Sequence, residues 1–266
     1  MPLVNHATKS MAIKIVYYGP GLSGKTTNLR YIYFKLEPAY RGELVCLETE
    51  AERTYFFDLL PIRAGLIGDF TVHFQLMTVP GQVFYEASRK SVLRGTDGLV
   101  FVADSQIPLL DANLECFDGL RRNCLQHDID LNRVPLVFQY NKRDLPYLIP
   151  VETFNNLLNP RKCPWVEAVA INGVGVFETL REISKLTVPV VREKVFGQGS
   201  QEGRRETGLS EQGLAPPGKP SEAEELDFIP PDRAAPFQVT KVRLKSIREI
   251  EDELEKLSKE FVEKEK

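Results

Sequence analysis

The segment that most constrains this chain runs from Gly19 to Thr26, GPGLSGKT, and has the pattern G-x-x-x-x-G-K-[ST]. It lies between an apolar run, Ile13–Tyr18, and a helical pattern that begins at Lys25. Glycines in such a loop let backbone N–H groups surround a phosphate without Cβ clashes, at the positive end of a helix. Lys25 can bridge the β- and γ-phosphates, and the Thr26 hydroxyl can bind Mg²⁺. The segment therefore predicts a nucleoside triphosphate site. The predicted phosphate-binding residues are Gly19, Gly21, Leu22, Ser23, Gly24, Lys25, Thr26 and Thr27.

Short apolar runs alternate with helical patterns as far as Phe196, which predicts a mostly parallel α/β sheet. The predicted strands are Ile13–Tyr18, Leu44–Leu47, Phe70–Val79, Gly98–Ala103, Pro135–Tyr140 and Val166–Ala170. The predicted helices are Lys25–Leu36, Tyr85–Leu93, Leu110–Cys124, Val151–Leu158 and Val176–Arg192. Because Phe70–Val79 follows Leu44–Leu47 so closely, we expect one antiparallel hairpin between these two strands.

The composition changes after Phe196. Residues 197–236 hold six Gly and six Pro, which predicts a flexible linker. Residues 237–266 comprise a weakly strand-like segment and a helical pattern over Ser246–Glu263 with apolar residues spaced 3, 4, 3, 4. This stripe covers barely two heptads, so a solvated helix and a helix that docks on the preceding domain or on a partner both stay open. The predicted division is a domain over 1–196, a linker over 197–236 and a tail over 237–266.

Charge and cysteine content exclude several classes of protein. Residues 1–196 hold 22 basic and 21 acidic residues and residues 197–266 hold 12 and 16, so neither part has the basic excess of a nucleic-acid binder. The four cysteines lack zinc-site spacing and are expected to be reduced thiols. The chain shows no signal peptide, lipidation motif or membrane-span pattern. We expect a cytoplasmic protein without a direct membrane anchor, and recruitment to a cell pole by partners stays open.

The segment Asn141-Lys142-Arg143-Asp144 follows the strand Pro135–Tyr140 directly and indicates which base is bound. A carboxylate there can accept hydrogen bonds from both N1–H and N2–H₂ of guanine, a pattern that adenine does not offer. Asn141 can bond the base and brace the phosphate loop, while the stem of Lys142 covers the ring face. Ala170, which closes the last predicted strand, is placed to offer a backbone N–H to the base O6. Together with the phosphate loop, these residues predict GTP and GDP as ligands.

These motifs, with the turn Val79-Pro80-Gly81-Gln82, resemble the Ras-like small GTPases. The stretches VYYGPGLSGKTTNL, ETEAERTYFFDLLP, TVPGQVFY, VFVADSQ and QYNKRDLP are more narrowly similar to the bacterial MglA family of gliding-motility and cell-polarity GTPases. The likeness covers about residues 10–196. It implies a Ras-like fold with six to seven strands, helices on both faces, and the C-terminal tail as an addition.

The resemblance also implies roles for residues that the first motif does not include. Thr54 matches the switch I threonine, which binds Mg²⁺ and the γ-phosphate, and Gly81 belongs to the switch II turn. Gln82 matches the residue that orients the attacking water. Arg53 resembles an arginine finger supplied by the same chain, which enters the site when a partner remodels switch I; without the resemblance it would be taken for an ordinary exposed arginine.

One position departs from the Ras-like pattern. Where those proteins carry an Asp that holds a Mg²⁺-bound water, this chain has Thr78, as MglA-like proteins do. Thr78 can hydrogen-bond that water but brings no charge. We therefore predict weak magnesium retention and slow hydrolysis that needs an activator.

The residues flanking the switches suggest partners. Tyr55, Phe56, Phe57, Phe84 and Tyr85 lie next to Thr54 or Gln82, and some of them are expected to face a partner while others belong to the core. The resemblance implies a roadblock-type, MglB-like activator, and it leaves a response-regulator-like polarity factor and other motility effectors open.

Three function classes follow. The leading one is a GTP-hydrolysing switch in cell polarity or gliding motility, with Gln82, Arg53 and Lys25 as catalytic residues and Thr26 and Thr54 as magnesium ligands. The second is a GTP-binding scaffold with negligible hydrolysis, which the missing Asp motivates. A ribosome-associated GTPase lacks support, because the chain has no basic appendage for RNA.

Overall fold

A computed structural model of the chain describes residues 2–49, 54–80 and 86–197, without the side chains of 47–56 and 86–88. The strands are β1 (Leu3–Asn5), β2 (Ser10–Tyr18), β3 (Val45–Thr49), β4 (Thr54–Ile67), β5 (Phe70–Thr78), β6 (Gly98–Asp104), β7 (Leu136–Asn141) and β8 (Trp165–Glu167). The helices are α1 (Lys25–Lys35), α2 (Glu86–Leu93), α3 (Leu110–Gln126), α4 (Val151–Leu158) and α5 (Val176–Phe196). Short 3₁₀ turns cover Pro38–Tyr40 and Ile107–Leu109.

All eight strands form one sheet in the order β3-β4-β5-β2-β6-β7-β8, with β1 paired to β2. The pairs β2 with β5, β2 with β6, β6 with β7 and β7 with β8 are parallel. The pairs β3 with β4, β4 with β5 and β1 with β2 are antiparallel. This confirms the predicted fold class, a mostly parallel sheet in an α/β domain. The strand count exceeds six to seven because β1 adds a short antiparallel strand.

The strand β4 was not predicted, and the expected hairpin between Leu44–Leu47 and Phe70–Val79 is wrong. β4 lies between the two and pairs antiparallel with both β3 and β5. Pro61 in its middle argues against a strand, since proline cannot donate to a ladder. In the structure the carbonyl of Pro61 accepts from the Gly42 N–H at 2.7 Å, so this residue's backbone edge faces away from β5. β4 therefore loses no hydrogen bond to β5 through the missing N–H of Pro61.

The core lies in two layers on opposite faces of the sheet. On one face, side chains of β2 such as Ile13 and Ile15 pack with Leu29 of α1 and Ile183 of α5. On the other face, side chains of β6 and β7 pack with residues of α3 and α4, among them Phe117 and Phe154. The central strands are covered on both sides, which explains why their sequences read as near-continuous apolar runs. Helices on both faces are confirmed.

Most element boundaries differ from the predictions by one or two residues, and the larger differences are at β2, which begins at Ser10 rather than Ile13, at β8 and at α5. The last strand is Trp165–Glu167 rather than Val166–Ala170, because Val169 forms an isolated bridge with Val174 and Ala170 lies in a turn. The helix α5 continues past Arg192 to Phe196. Apart from Gly197, which follows α5 directly, the predicted linker and tail lie outside the described residues. No helix in the described ranges is long and apolar enough to cross a membrane.

Candidate nucleotide-binding site

The candidate site lies at the carboxyl edge of the sheet, where β2, β6 and β7 end. The chain leaves β2 at Tyr18, passes through the loop 19–24 and enters α1 at Lys25. β2 is flanked by β5 on one side and β6 on the other, so the direction of strand order reverses beside it. Crevices at such reversal points are the usual ligand sites of open α/β sheets. The fold therefore puts the predicted phosphate loop where a ligand can enter.

Two glycines of the loop are required because atoms of β6 and β7 approach them closely. Gly24 has φ 101°, and a Cβ added there would lie 2.2 Å from Nδ2 of Asn141. A Cβ on Gly19 would lie 2.2 Å from the carbonyl oxygen of Val102. Any side chain at either position would push the loop away from the ends of β6 and β7. The loop's shape thus depends on both glycines.

Lys25 points into the loop that precedes it. Its Nζ donates to the carbonyl oxygens of Gly19 at 2.9 Å and Pro20 at 2.6 Å. The residue is 6% exposed, and this burial lowers the pKa of Lys25 to about 8, with the charge of Arg89 acting in the same direction. Carbonyl groups compensate a buried ammonium only in part. The site therefore holds a cation that a phosphate would stabilise.

A carboxylate lies directly beside Thr26. Asp58 of β4 is fully buried, and its Oδ2 accepts hydrogen bonds from the hydroxyls of Thr26 at 2.6 Å and Thr78 at 2.8 Å. Its Oδ1 is buried and has no hydrogen-bond partner within the described part of the chain. Hydroxyl and carboxylate oxygens are the ligands that Mg²⁺ prefers, and the unpartnered Oδ1 of Asp58 is available to bind a cation. These residues fit a magnesium site.

Asp58 is a candidate site residue that sequence reasoning missed. Thr78 brings no charge, and the sequence motifs indicate no carboxylate that replaces the missing Asp. The signal was present, because Asp58 is the one charged residue in the otherwise apolar run YFFDLLPI. An isolated carboxylate in a buried strand needs a partner or a function. Its contact with Thr26 of α1 depends on the place of β4 between β3 and β5, which the sequence motifs do not indicate.

On the base side, Asn141 joins the phosphate loop to the segment after β8. Its Nδ2 donates to the carbonyl of Ser23 at 2.8 Å, and its Oδ1 accepts from the N–H of Ala170 at 2.9 Å. Asn141 is thus placed to brace the loop, as the sequence suggested. The N–H of Ala170, expected to face a base, is directed at Asn141 here. Asp144 is exposed at the same edge.

A buried pair of amide side chains connects α1 and β7 beneath the phosphate loop, on the side of the sheet interior. Asn28 of α1 and Gln139 of β7 exchange two hydrogen bonds, of 2.8 Å and 2.9 Å, and neither residue is exposed. Asn28 also donates to the carbonyl of Gly24 at 2.9 Å, and Gln139 donates to the Thr179 hydroxyl at 2.9 Å. The pair therefore ties the end of the phosphate loop to β7 and α5.

The other predicted site residues divide into two groups. In the loop, Leu22 is 91% exposed with φ 60°, whereas Ser23 is buried; Gly21 and Thr27 are half-buried. Arg53, Gly81 and Gln82 lie outside the described residues, and only the backbone of Thr54 is described, at the start of β4. The roles given to these four residues stay predictions.

The strand order, the phosphate loop opening α1 and the N-K-x-D segment ending β7 together define a P-loop GTPase of the Ras-like class. No protein-family model matches the chain. Over 193 residues it is 51% identical to the Mutual gliding-motility protein MglA of Myxococcus xanthus (strain DK1622), in an alignment that covers 73% of this chain and 99% of that protein. The chain belongs to the MglA family of small GTPases, which confirms the resemblance inferred from its sequence.

Proposed function

We propose that this chain is a GTP-binding molecular switch of gliding motility or cell polarity that hydrolyses GTP slowly and depends on an activator. The observation that carries the proposal is that one sheet edge brings together a buried lysine, a hydroxyl–carboxylate pair and the N-K-R-D segment. These groups match the three parts of a magnesium–guanine nucleotide complex. The name of the M. xanthus relative supports the process, since it assigns that protein to gliding motility.

On the phosphate side, the bound nucleotide takes over the hydrogen bonds of Lys25. The ammonium now donates to the carbonyls of Gly19 and Pro20, and phosphate oxygens are stronger acceptors for a cation in a buried site. Thr26, Thr54 and Asp58 would hold Mg²⁺ from the protein side, and the unpartnered Oδ1 of Asp58 is the carboxylate oxygen free to do so. Magnesium held there would supply positive charge against the negative charge of the phosphate oxygens.

On the base side, Asp144 accepts the two guanine N–H groups while Asn141 keeps the loop and the base segment in register. The exposure of Asp144 leaves its carboxylate accessible to a ligand. Ala170 offers its N–H to the base O6 once Asn141 turns toward the base. We assign guanine selectivity to this edge because the carboxylate discriminates between the hydrogen-bonding patterns of guanine and adenine.

Hydrolysis is assigned to Gln82 and Arg53 on the basis of the family resemblance. Gln82 orients the attacking water, and Arg53 neutralises charge developing on the γ-phosphoryl group, an effect worth about 10³–10⁵ in rate. An MglB-like roadblock protein is the proposed activator, and polarity or motility effectors read the switch state. The proposed location is the cytoplasm, with recruitment to a pole by partners.

The alternative is a GTP-binding scaffold with negligible hydrolysis. The observation that suggests it is the absence of the switch II carboxylate at position 78. Asp58 weakens this argument, because its buried carboxylate lies 2.8 Å from the hydroxyl of Thr78. The proposed organisation is a GTPase domain over 1–196, a linker over 197–236 and a tail over 237–266 whose role is docking on the domain or on a partner.

Nucleotide selectivity tests the proposal. Calorimetric titration of the full chain with GDP, GTP and ATP in magnesium buffer should give binding of the two guanine nucleotides only. Asp144→Asn should weaken GDP binding and favour xanthosine diphosphate, whose C2 carbonyl replaces the guanine amine. Asp118→Asn, which removes an exposed carboxylate on α3, is the matched control. Equal affinity for ATP and GTP would contradict the assignment.

The switch and the scaffold are separated by hydrolysis itself. Gln82→Leu should bind GTP as the wild type does and lose single-turnover hydrolysis in the presence of an activator. In a scaffold, the wild type and this variant would show the same negligible rate with and without the activator.

A further inference from the structure

An ion pair connects two neighbouring strand ends on the base side of the site. β6 ends at Asp104 and β7 at Asn141, and these two residues are register partners in the parallel ladder. Lys142 follows Asn141, and its Nζ donates to Oδ2 of Asp104 at 2.5 Å. The lysine of the N-K-R-D segment is thus held by a residue 38 positions earlier in the chain.

The carboxylate of Asp104 is fixed independently of Lys142. Its side chain is 1% exposed, and Oδ1 accepts from both the backbone N–H and the side-chain amide of Gln106, each at 3.1 Å. Asn113 of α3 binds the backbone of Asp104 on both sides, accepting from its N–H at 2.9 Å and donating to its carbonyl at 2.8 Å. Four hydrogen bonds therefore set the position of Asp104.

Lys142 is held at both of its ends. Its backbone has φ 67°, a left-handed conformation that is unfavourable for a residue with a Cβ, and it directly follows the end of β7. Its ammonium is held by the buried carboxylate, while 26% of the side chain stays exposed. A free lysine side chain samples many rotamers and loses that freedom when it is ordered by a ligand. Here the ion pair orders the stem before a ligand arrives.

We propose that Asp104 is a positioning residue for the base site. It fixes the aliphatic stem of Lys142 as the surface against which the guanine ring packs. By neutralising the ammonium, it also makes Lys142 act through its shape rather than through its charge. This inference rests on the proposed function, because it requires a guanine nucleotide beside Asn141 and Asp144.

The test is the dissociation rate of a fluorescent GDP analogue from the full chain, measured by stopped flow. Asp104→Asn keeps the shape and still accepts from Gln106, but it has no charge to hold Lys142. We expect dissociation to be about tenfold faster than in the wild type. Asp104→Glu, which restores the carboxylate, should recover part of the loss. Asp118→Asn on α3 is the matched control and should dissociate as the wild type does.

The Lys142→Met background distinguishes positioning from simple support of the loop. This variant keeps an aliphatic stem without its anchor, and we expect dissociation about tenfold faster than in the wild type. Lys185→Met, on an exposed face of α5, is its matched control. If Asp104 acts through Lys142, adding Asp104→Asn to Lys142→Met should change the rate by less than about twofold.

Two outcomes would overturn the inference. If Asp104→Asn still speeds dissociation about tenfold in the Lys142→Met background, Asp104 only supports the loop that contains Gln106. If the wild type binds the analogue and Asp104→Asn releases it at the wild-type rate, the positioning role is wrong while the proposed function stands. A wild type that fails to bind GDP would instead overturn both.

Discussion

Asp58 of β4 accepts a hydrogen bond from Thr26 of α1 at 2.6 Å, which connects the helix that follows the phosphate loop to strand β4. Thr78 of β5 donates to the same Oδ2 at 2.8 Å, and its Oγ1 accepts from the Asp58 N–H at 2.9 Å. A carboxylate thus lies beside Thr78, the position at which the Ras-like pattern has an Asp.

Asp58→Asn should weaken the magnesium dependence of nucleotide retention. The amide removes the negative charge next to Thr26, and we expect GDP affinity in magnesium buffer to fall by about tenfold to a hundredfold. GDP affinity in EDTA should change little. Dissociation rates measured with and without magnesium check this, with Asp118→Asn as the control. If the ratio of the two rates matches that of the wild type, Asp58 has no part in the magnesium site.

Thr78→Asp restores the Asp of the Ras-like pattern, but we expect it to destabilise the nucleotide-free protein. Thr78 is 3% exposed and Asp58 is fully buried, so a second carboxylate would lie next to the first in a poorly solvated space. We expect a loss of about 3 kcal/mol in the free energy of unfolding, measured in urea. Thr78→Ser keeps the hydroxyl and should lose far less. Equal stability of the two variants would contradict the proposed contact.

GDP affinity should fall as the pH rises through about 8. The pKa of Lys25 is lowered to about 8 by burial in the free protein, and bound phosphate raises it again. The complex therefore holds more protons than the free protein above this pKa, so affinity decreases by up to about tenfold per pH unit there. Titrations from about pH 7 to 9 check this, with Lys25→Arg as a variant whose charge does not titrate. A flat wild-type profile would exclude a buried, titrating Lys25.

The pair formed by Asn28 and Gln139 should contribute strongly to stability. Asn28→Leu leaves Oε1 of the fully buried Gln139 without a partner and its amide nitrogen with the bond to Thr179, and we expect a loss of about 2–4 kcal/mol. The double variant with Gln139→Leu should recover part of this loss, since no amide then stays buried without its partner. Urea denaturation of the single and double variants measures the coupling. Additive effects would mean that the two amides do not depend on each other.

Much of the phosphate and base edge could be predicted because its motifs are local. The loop 19–26 sits between the predicted strand and helix, and Asn141 contacts the loop carbonyl of Ser23 as its position suggested. Such motifs encode their own backbone geometry through glycines, a strand end and a helix start. The fold class followed for the same reason, since buried strands and amphipathic helices are visible in short windows.

The parts that could not be predicted depend on contacts between distant segments. The candidate role of Asp58 depends on its hydrogen bond with Thr26, 32 positions earlier in the chain. That of Asn28 depends on its hydrogen bonds with Gln139, 111 positions later. β4 could not be predicted because it contains Pro61. Whether a proline interrupts a sheet depends on which neighbouring strand its backbone edge faces, and only the assembled sheet determines that. Sequence patterns indicate the local structure that a residue prefers. The roles of these residues depend instead on contacts with segments that are distant in sequence.

The most direct test of the account is single-turnover GTP hydrolysis by the full chain, alone and with an MglB-like roadblock protein. We predict slow hydrolysis by the chain alone and a rate increase of about 10³ or more with the activator, abolished in Gln82→Leu. Fast hydrolysis without an activator, or no hydrolysis in its presence, would contradict the account of an activator-dependent GTPase switch.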